Sequence, residues 1–138
     1  MILIDTSVLI DYLKGIETPE AKAIDGIIDR KIPFGICCYV YQEILQGARD
    51  QKEYEKLKDY LETIPFYELN DGLKSFEKAA LINMKCRKAG YQIRSTIDLL
   101  IAEIAIENRL YLLHRDNDYS NIAKTTKELK VYNTKDFV

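Results

Sequence analysis

The chain has 138 residues, 47% of them hydrophobic, which is the length of one ordinary domain with enough apolar side chains for one core, so a single domain over residues 1–138 is expected. Its 20 basic and 22 acidic residues leave a formal charge of -2, which excludes the low-hydropathy, high-charge signature of disorder. Cys37, Cys38 and Cys86 are an odd set with two adjacent, which argues against a disulfide framework and for a reducing cytoplasm; no signal peptide is recognised at Met1 to Asp5, and no apolar run approaches the roughly 20 residues of a membrane span.

Ile2-Leu3-Ile4 is a continuous β-favouring run, the pattern of a short strand buried on both faces. Val8, Leu9, Tyr12 and Leu13 follow at helical spacing, with Thr6 and Ser7 as capping residues and Gly15 as a stop. A second helix is expected near Ala21 to Arg30, carrying Ile24, Ile27 and Ile28 on one side. Ile32 to Cys38 reads as a strand and Tyr39 to Arg49 as a helix that stops near Gly47. Lys52 to Ile64 places Tyr54, Leu57, Leu61 and Ile64 on one face of an amphipathic helix, and Phe66 to Leu69 reads as a third strand. Leu73 to Lys88 repeats the helical pattern through Leu73, Phe76, Ala80 and Met84. Ser95 to Asp98 resembles a capping box ahead of the apolar run Leu99 to Ile106, and Leu110 to Leu113 reads as a buried strand. A short helix over Asn121 to Lys127 and a strand over Leu129 to Tyr132 close the pattern. Strands alternating with helices require crossovers, so an open, mainly parallel α/β sheet with helices on both faces is expected.

In such sheets, sites form at the carboxyl ends of the strands. That rule singles out Asp5, directly after the first strand, and Asp116 with Asp118 after the Leu110 to Leu113 strand; Glu43 and Asp98 lie in helices that follow segments reaching the same end. Like charges a few ångströms apart raise one another's pKa, and a hard divalent cation is the usual remedy. Ligands that are all oxygen favour magnesium or manganese; zinc is disfavoured, because His114 is the only histidine and Cys37-Cys38 lacks a Cys-x-x-Cys spacing. Metal-assisted phosphodiester cleavage fits such a set.

Plainer readings stand beside these. Asp98 completes a capping box, and Asp116-Asn117-Asp118 has the composition of an Asx turn. The mild overall acidity counts against RNA, although setting aside Asp5, Glu43, Asp98, Asp116 and Asp118 leaves a small basic excess. Lys85, Arg87, Lys88 and Arg94 lie near the approach to Asp98, either to grip phosphates or as a solvated basic helix end.

The segments around these acids resemble the PIN-domain family and its VapC-like toxin branch. Asp5-Thr6-Ser7-Val8-Leu9-Ile10-Asp11 is similar to the family's opening motif, Glu43-Ile44-Leu45-Gln46-Gly47 to the second, Asp98-Leu99-Leu100-Ile101-Ala102 to the third, and Leu113 to Tyr119 to the fourth, all in family order. The resemblance implies a PIN-like three-layer fold and an endoribonuclease that uses Asp5, Glu43, Asp98 and Asp116, with Asp5, Asp98 and Asp116 on magnesium or manganese and Asp118 and Ser7 as accessory groups. It also implies a homodimer and a VapB-like antitoxin. Many relatives carry Thr or Ser in place of His114 and Phe in place of Tyr119, so no water-positioning hydroxyl is assigned there and His114 is given no catalytic role. A PIN-like nuclease for DNA or ribosomal RNA maturation is the alternative. A magnesium-binding signalling module lacks its acidic pair beside the first strand, and a phosphatase of the haloacid-dehalogenase type needs an acid where Ser7 stands.

Overall fold

Ile2, Leu3 and Ile4 are consecutive and all buried, which requires cover on both faces of the strand they form. The computed structural model supplies that cover. It describes residues 1–134; residues 135–138 of the expected domain lie outside the described residues. The elements are β1 (Ile2–Ile4), α1 (Thr6–Leu13), α2 (Pro19–Asp29), β2 (Phe34–Gly35), α3 (Cys38–Gln46), α4 (Gln51–Leu61), α5 (Leu73–Lys88), α6 (Thr96–Glu107), β3 (Tyr111–Leu113), α7 (Asn117–Thr125) and β4 (Lys130–Val131). The four strands run in the order β2-β1-β3-β4 and every pairing is parallel, with Ile2 opposite both Phe34 and Tyr111. The helices pack in two groups, α1 with α2 and α3 and α3 with α4 in one, α5, α6 and α7 in the other. The result is the expected α/β architecture, sheet between helical layers.

Several expectations change. Phe66 to Leu69 is not a full strand: Phe66 makes one parallel bridge to Ile36, with the Tyr67 amide donating to the Ile36 carbonyl at 2.8 Å. Beyond it the backbone takes side-chain partners instead. Asn108 Nδ2 donates to the Glu68 carbonyl at 2.8 Å, and Glu107 Oε1 accepts from the Asn70 amide at 2.7 Å. The bridge runs past Gly35, where a Cβ would stand 2.5 Å from the Pro65 carbonyl oxygen and 2.6 Å from the Tyr67 ring, so only glycine fits that approach.

On α5 the buried side chains are Ser75, Ala79, Ile82 and Cys86, whereas Leu73, Phe76, Ala80 and Met84, the stripe the periodicity picks out, face outward. Ile28 is likewise exposed, while Ala21, Ile24 and Ile27 carry the inner face of α2. Cys37 and Cys86 are buried and Cys38 is exposed; all are free thiols, and burial pushes Cys37 up to about 11. No described helix is long and apolar enough to cross a membrane.

Candidate active site at the carboxyl ends of the strands

β1 ends at Ile4, and the next residue, Asp5, is itself the N-cap of α1. Its Oδ2 accepts from the Ser7 amide at 3.3 Å and from Ser7 Oγ at 2.8 Å, so Thr6 and Ser7 are first-turn residues rather than the expected caps. The Asp5 amide donates to the Leu113 carbonyl at 3.0 Å, which fastens the exit of β1 to the exit of β3. Because these strands are parallel, the segment after β3 emerges at the same edge. There Asp116 caps α7, its Oδ1 accepting from the Asp118 amide at 2.9 Å. This helix starts at Asn117 instead of the expected Asn121, which puts Asp118 and Tyr119 in its first turn. Asp98 lies in the first turn of α6, whose cap is Ser95, with Ser95 Oγ accepting from the Ile97 amide at 3.2 Å. The Asp98 carboxylate accepts from Tyr119 Oη at 3.2 Å, so its role is not exhausted by a capping box.

One carboxylate oxygen from each of Asp98, Asp116 and Asp118 falls within 4.8 Å of the others. Asp5 joins this trio through Tyr119, whose Oη donates to Asp5 Oδ1 at 3.0 Å as well as to Asp98. The acids sit at the N-termini of α1, α6 and α7, where unpaired amides give partial positive charge. That compensation is incomplete: burial, then the charge of Asp5, drives Asp98 up to about 6, with Asp116 and Asp118 adding to the rise and the Tyr119 hydrogen bond opposing it. Asp5 and Asp118 are buried; Asp98 and Asp116 are half-buried. A cluster of carboxylate oxygens alone, short of positive charge and reachable from solvent, has the chemistry of a site for a hard divalent cation.

Glu43 lies outside the trio. Its residue surface is exposed, yet its carboxyl is raised above the usual range by partial burial and then by Asp5, with the Thr6 hydroxyl pulling the other way. That pull comes from proximity, because Thr6 Oγ1 makes no hydrogen bond of full geometry. Arg94 does not stand free at the mouth: its amide and Nε donate to Asp118 Oδ2 at 3.3 and 3.4 Å, and Nη2 lies 3.7 Å from Asp116 Oδ1. Lys85, Arg87 and Lys88 are exposed on the last turn of α5. His114 braces the turn, with Nδ1 accepting from the Asp116 amide at 3.0 Å and its ring 5.1 Å from that of Tyr119. Burial lowers its pKa while the nearby acids, Asp5 and Asp116 first, pull the other way. At the rim, Arg115 pairs with Asp11. Tyr119, whose hydroxyl the sequence gives no role, is placed at the site only by a contact between three elements.

Residues 2–125 match the family model described as PIN domain. VapC ribonuclease Mb1587 of Mycobacterium bovis and ribonuclease VapC11 of Mycobacterium tuberculosis are each 32% identical over 127 residues, covering 91% of this chain and 94% of the relative. Among solved structures, VapBC2 from Rickettsia felis bound to a DNA fragment from its promoter is similar with a TM-score of 0.73 at 16% identity, over 96% of this chain and 98% of that one. FitAcB from Neisseria gonorrhoeae gives 0.69 at 20% identity, over 97% and 98%. By the family match and these relatives, the chain belongs to the PIN-domain family.

Proposed function

We propose that this protein is a VapC-type endoribonuclease, the toxin of a toxin–antitoxin pair, that cleaves RNA with magnesium or manganese. The observation that carries the reading is the trio Asp98, Asp116 and Asp118, with Asp5 tied to it through Tyr119 at the sheet edge where α/β sites form. Asp5, Asp98 and Asp116 are the principal acids, Asp118 a further ligand, and Glu43 a rim acid whose carboxyl is raised by partial burial and by Asp5. A bound divalent ion supplies activated water and neutralises charge on the scissile phosphate. The protein's own residues set the stage: Ser7 orients Asp5, His114 braces Asp116, Arg94 pairs with Asp118 and Asp116, and Lys85, Arg87 and Lys88 offer exposed cations to the RNA backbone. Purified protein incubated with cellular RNA and with DNA, in magnesium, manganese or chelator, tests the reading. RNA cleaved only with metal is expected; undiminished cleavage in excess chelator would falsify the metal mechanism, and cleavage confined to DNA would replace the substrate.

The mycobacterial relatives are named as VapC ribonucleases, and the structural neighbours include toxin–antitoxin complexes, which supports a VapB-like antitoxin as partner and the cytoplasm as setting. A groove of about 680 Å³ between α1, α3 and α4 has an apolar floor of Ile10, Leu13, Ile44 and Leu57 and a charged rim of Lys14, Arg49, Glu53 and Lys56. An amphipathic antitoxin segment is the kind of ligand such a groove accepts. The outward stripe of α5, Leu73, Phe76 and Met84, supports a homodimer formed through that helix.

A further inference from the structure

The ring of Tyr119 is completely buried, and packing alone asks for nothing more than phenylalanine there. A hydroxyl in such a place is costly unless it is hydrogen-bonded. Here its partners are two carboxylates from different parts of the chain, Asp5 Oδ1 at 3.0 Å and Asp98 Oδ1 at 3.2 Å. The hydroxyl has one hydrogen to share between them. What it fixes is therefore position: both oxygens are held within reach of one atom that cannot itself move, because the ring is locked in the core, 5.1 Å from the His114 ring. The same first turn of α7 carries the Asp116 cap and Asp118. One helical turn thus presents two acids and clamps two others.

Resting on the reading of this cluster as a cation site, we propose that Tyr119 is a positioning residue whose hydroxyl sets the rotation of the Asp5 and Asp98 carboxylates and thereby the affinity of the cluster for a divalent cation. Without it, each carboxylate is free to turn away from its like-charged neighbour, and the cation has to bear the ordering that the hydroxyl otherwise supplies in advance. Hydrogen-bond partners of metal-binding groups commonly govern affinity by about 10- to 100-fold.

The test is calorimetric titration of manganese chloride into chelator-treated, dialysed protein, comparing the parent, Tyr119→Phe and Ile122→Val. Ile122 is buried on the same helix and touches none of the acids' hydrogen bonds, so its variant reports packing alone. The expected result is a dissociation constant raised about 10- to 100-fold in Tyr119→Phe and unchanged in Ile122→Val. The manganese concentration giving half-maximal RNA cleavage should rise in parallel, with cleavage at saturating metal largely restored. Equal manganese affinity in parent and Tyr119→Phe overturns the proposal while leaving the cation site intact. Equal weakening in Ile122→Val assigns the effect to packing and also overturns it. A Tyr119→Phe chain that is unfolded in chelator by circular dichroism places the hydroxyl in core stability and counts against the proposal in the same way. A parent that binds no manganese overturns both this inference and the reading beneath it.

Discussion

Asp98→Asn separates a metal-binding role from a helix-capping role, because asparagine largely replaces a capping acceptor and would leave stability and activity little changed, whereas it removes a charge from a cation cluster. Burial and neighbouring acids raise the Asp98 carboxyl from 3.8 to about 6. A carboxyl whose folded pKa is raised contributes its full stability only below its ordinary value and loses it as pH rises through the folded one. At neutral pH the parent therefore carries the whole penalty of an ionised Asp98. The displacement corresponds to a ceiling of about 3 kcal/mol. Solvent screening at this half-buried position reduces that to about 1–2 kcal/mol. Losing the charge from the α6 N-terminus subtracts up to about 1 kcal/mol. Asparagine keeps the acceptor for Tyr119 Oη, so the net effect in chelator is a gain of about 0.5–1 kcal/mol, raising the melting temperature by about 2–4 °C. Below pH 4, where both states of the parent are protonated, the gain disappears. Magnesium reverses the order: at a concentration near 100 times its dissociation constant it stabilises the parent by about 2.7 kcal/mol and the variant far less. Differential scanning fluorimetry with and without chelator, beside an RNA cleavage assay, reads all of this. A variant that melts lower in chelator at neutral pH, keeps full activity, or is stabilised by magnesium as the parent is would refute the assignment of Asp98 to the cation.

Glu103 and Glu107 lie one turn apart on α6, remote from the cluster: burial and then Glu107 push Glu103 up to about 8, while Glu103, the Asn70 amide and Ser75 outweigh burial and hold Glu107 below its usual value. The Glu103 contribution is complete below its ordinary pKa of 4.5 and is lost as pH rises toward about 8, so the parent should lose up to about 1.4 kcal/mol per pH unit across that window relative to Glu103→Gln. Parallel pH profiles of melting temperature for the two proteins would refute the raised Glu103 carboxyl. On the outer face of α5, Phe76→Lys should leave the melting temperature of a non-associating chain unchanged, since Phe76 is 49% exposed. It should weaken self-association by about 2 kcal/mol, roughly 30-fold. Light scattering that finds the parent monomeric at concentrations on the order of tens of micromolar removes the dimer reading.

Much of the site was legible because its signals are local. An unbroken β-favouring apolar triplet at Ile2–Ile4 reads as a strand covered twice, and an acid directly after such a strand falls at the end where parallel sheets keep their sites, which located Asp5 and, by the same logic after β3, Asp116 and Asp118. Long-range choices were not legible. Helix α5 carries two stripes able to face a core, Leu73, Phe76, Ala80 and Met84 or Ser75, Ala79, Ile82 and Cys86, and hydropathy favours the first. Packing against α6 and α7 selects the second, because small side chains let the helices approach and the Ser75 hydroxyl bonds Glu107. The strand expected at Phe66 to Leu69 stops at one bridge because Glu107 and Asn108 offer its backbone other partners. The sequence by itself thus determined which acids exist and at which end of the sheet they emerge, since strand periodicity and chain order are written in neighbouring residues. Only the tertiary structure decided that Tyr119 holds Asp5 and Asp98 together, because that hydroxyl spans sequence separations of 114 and 21 residues which no local pattern encodes.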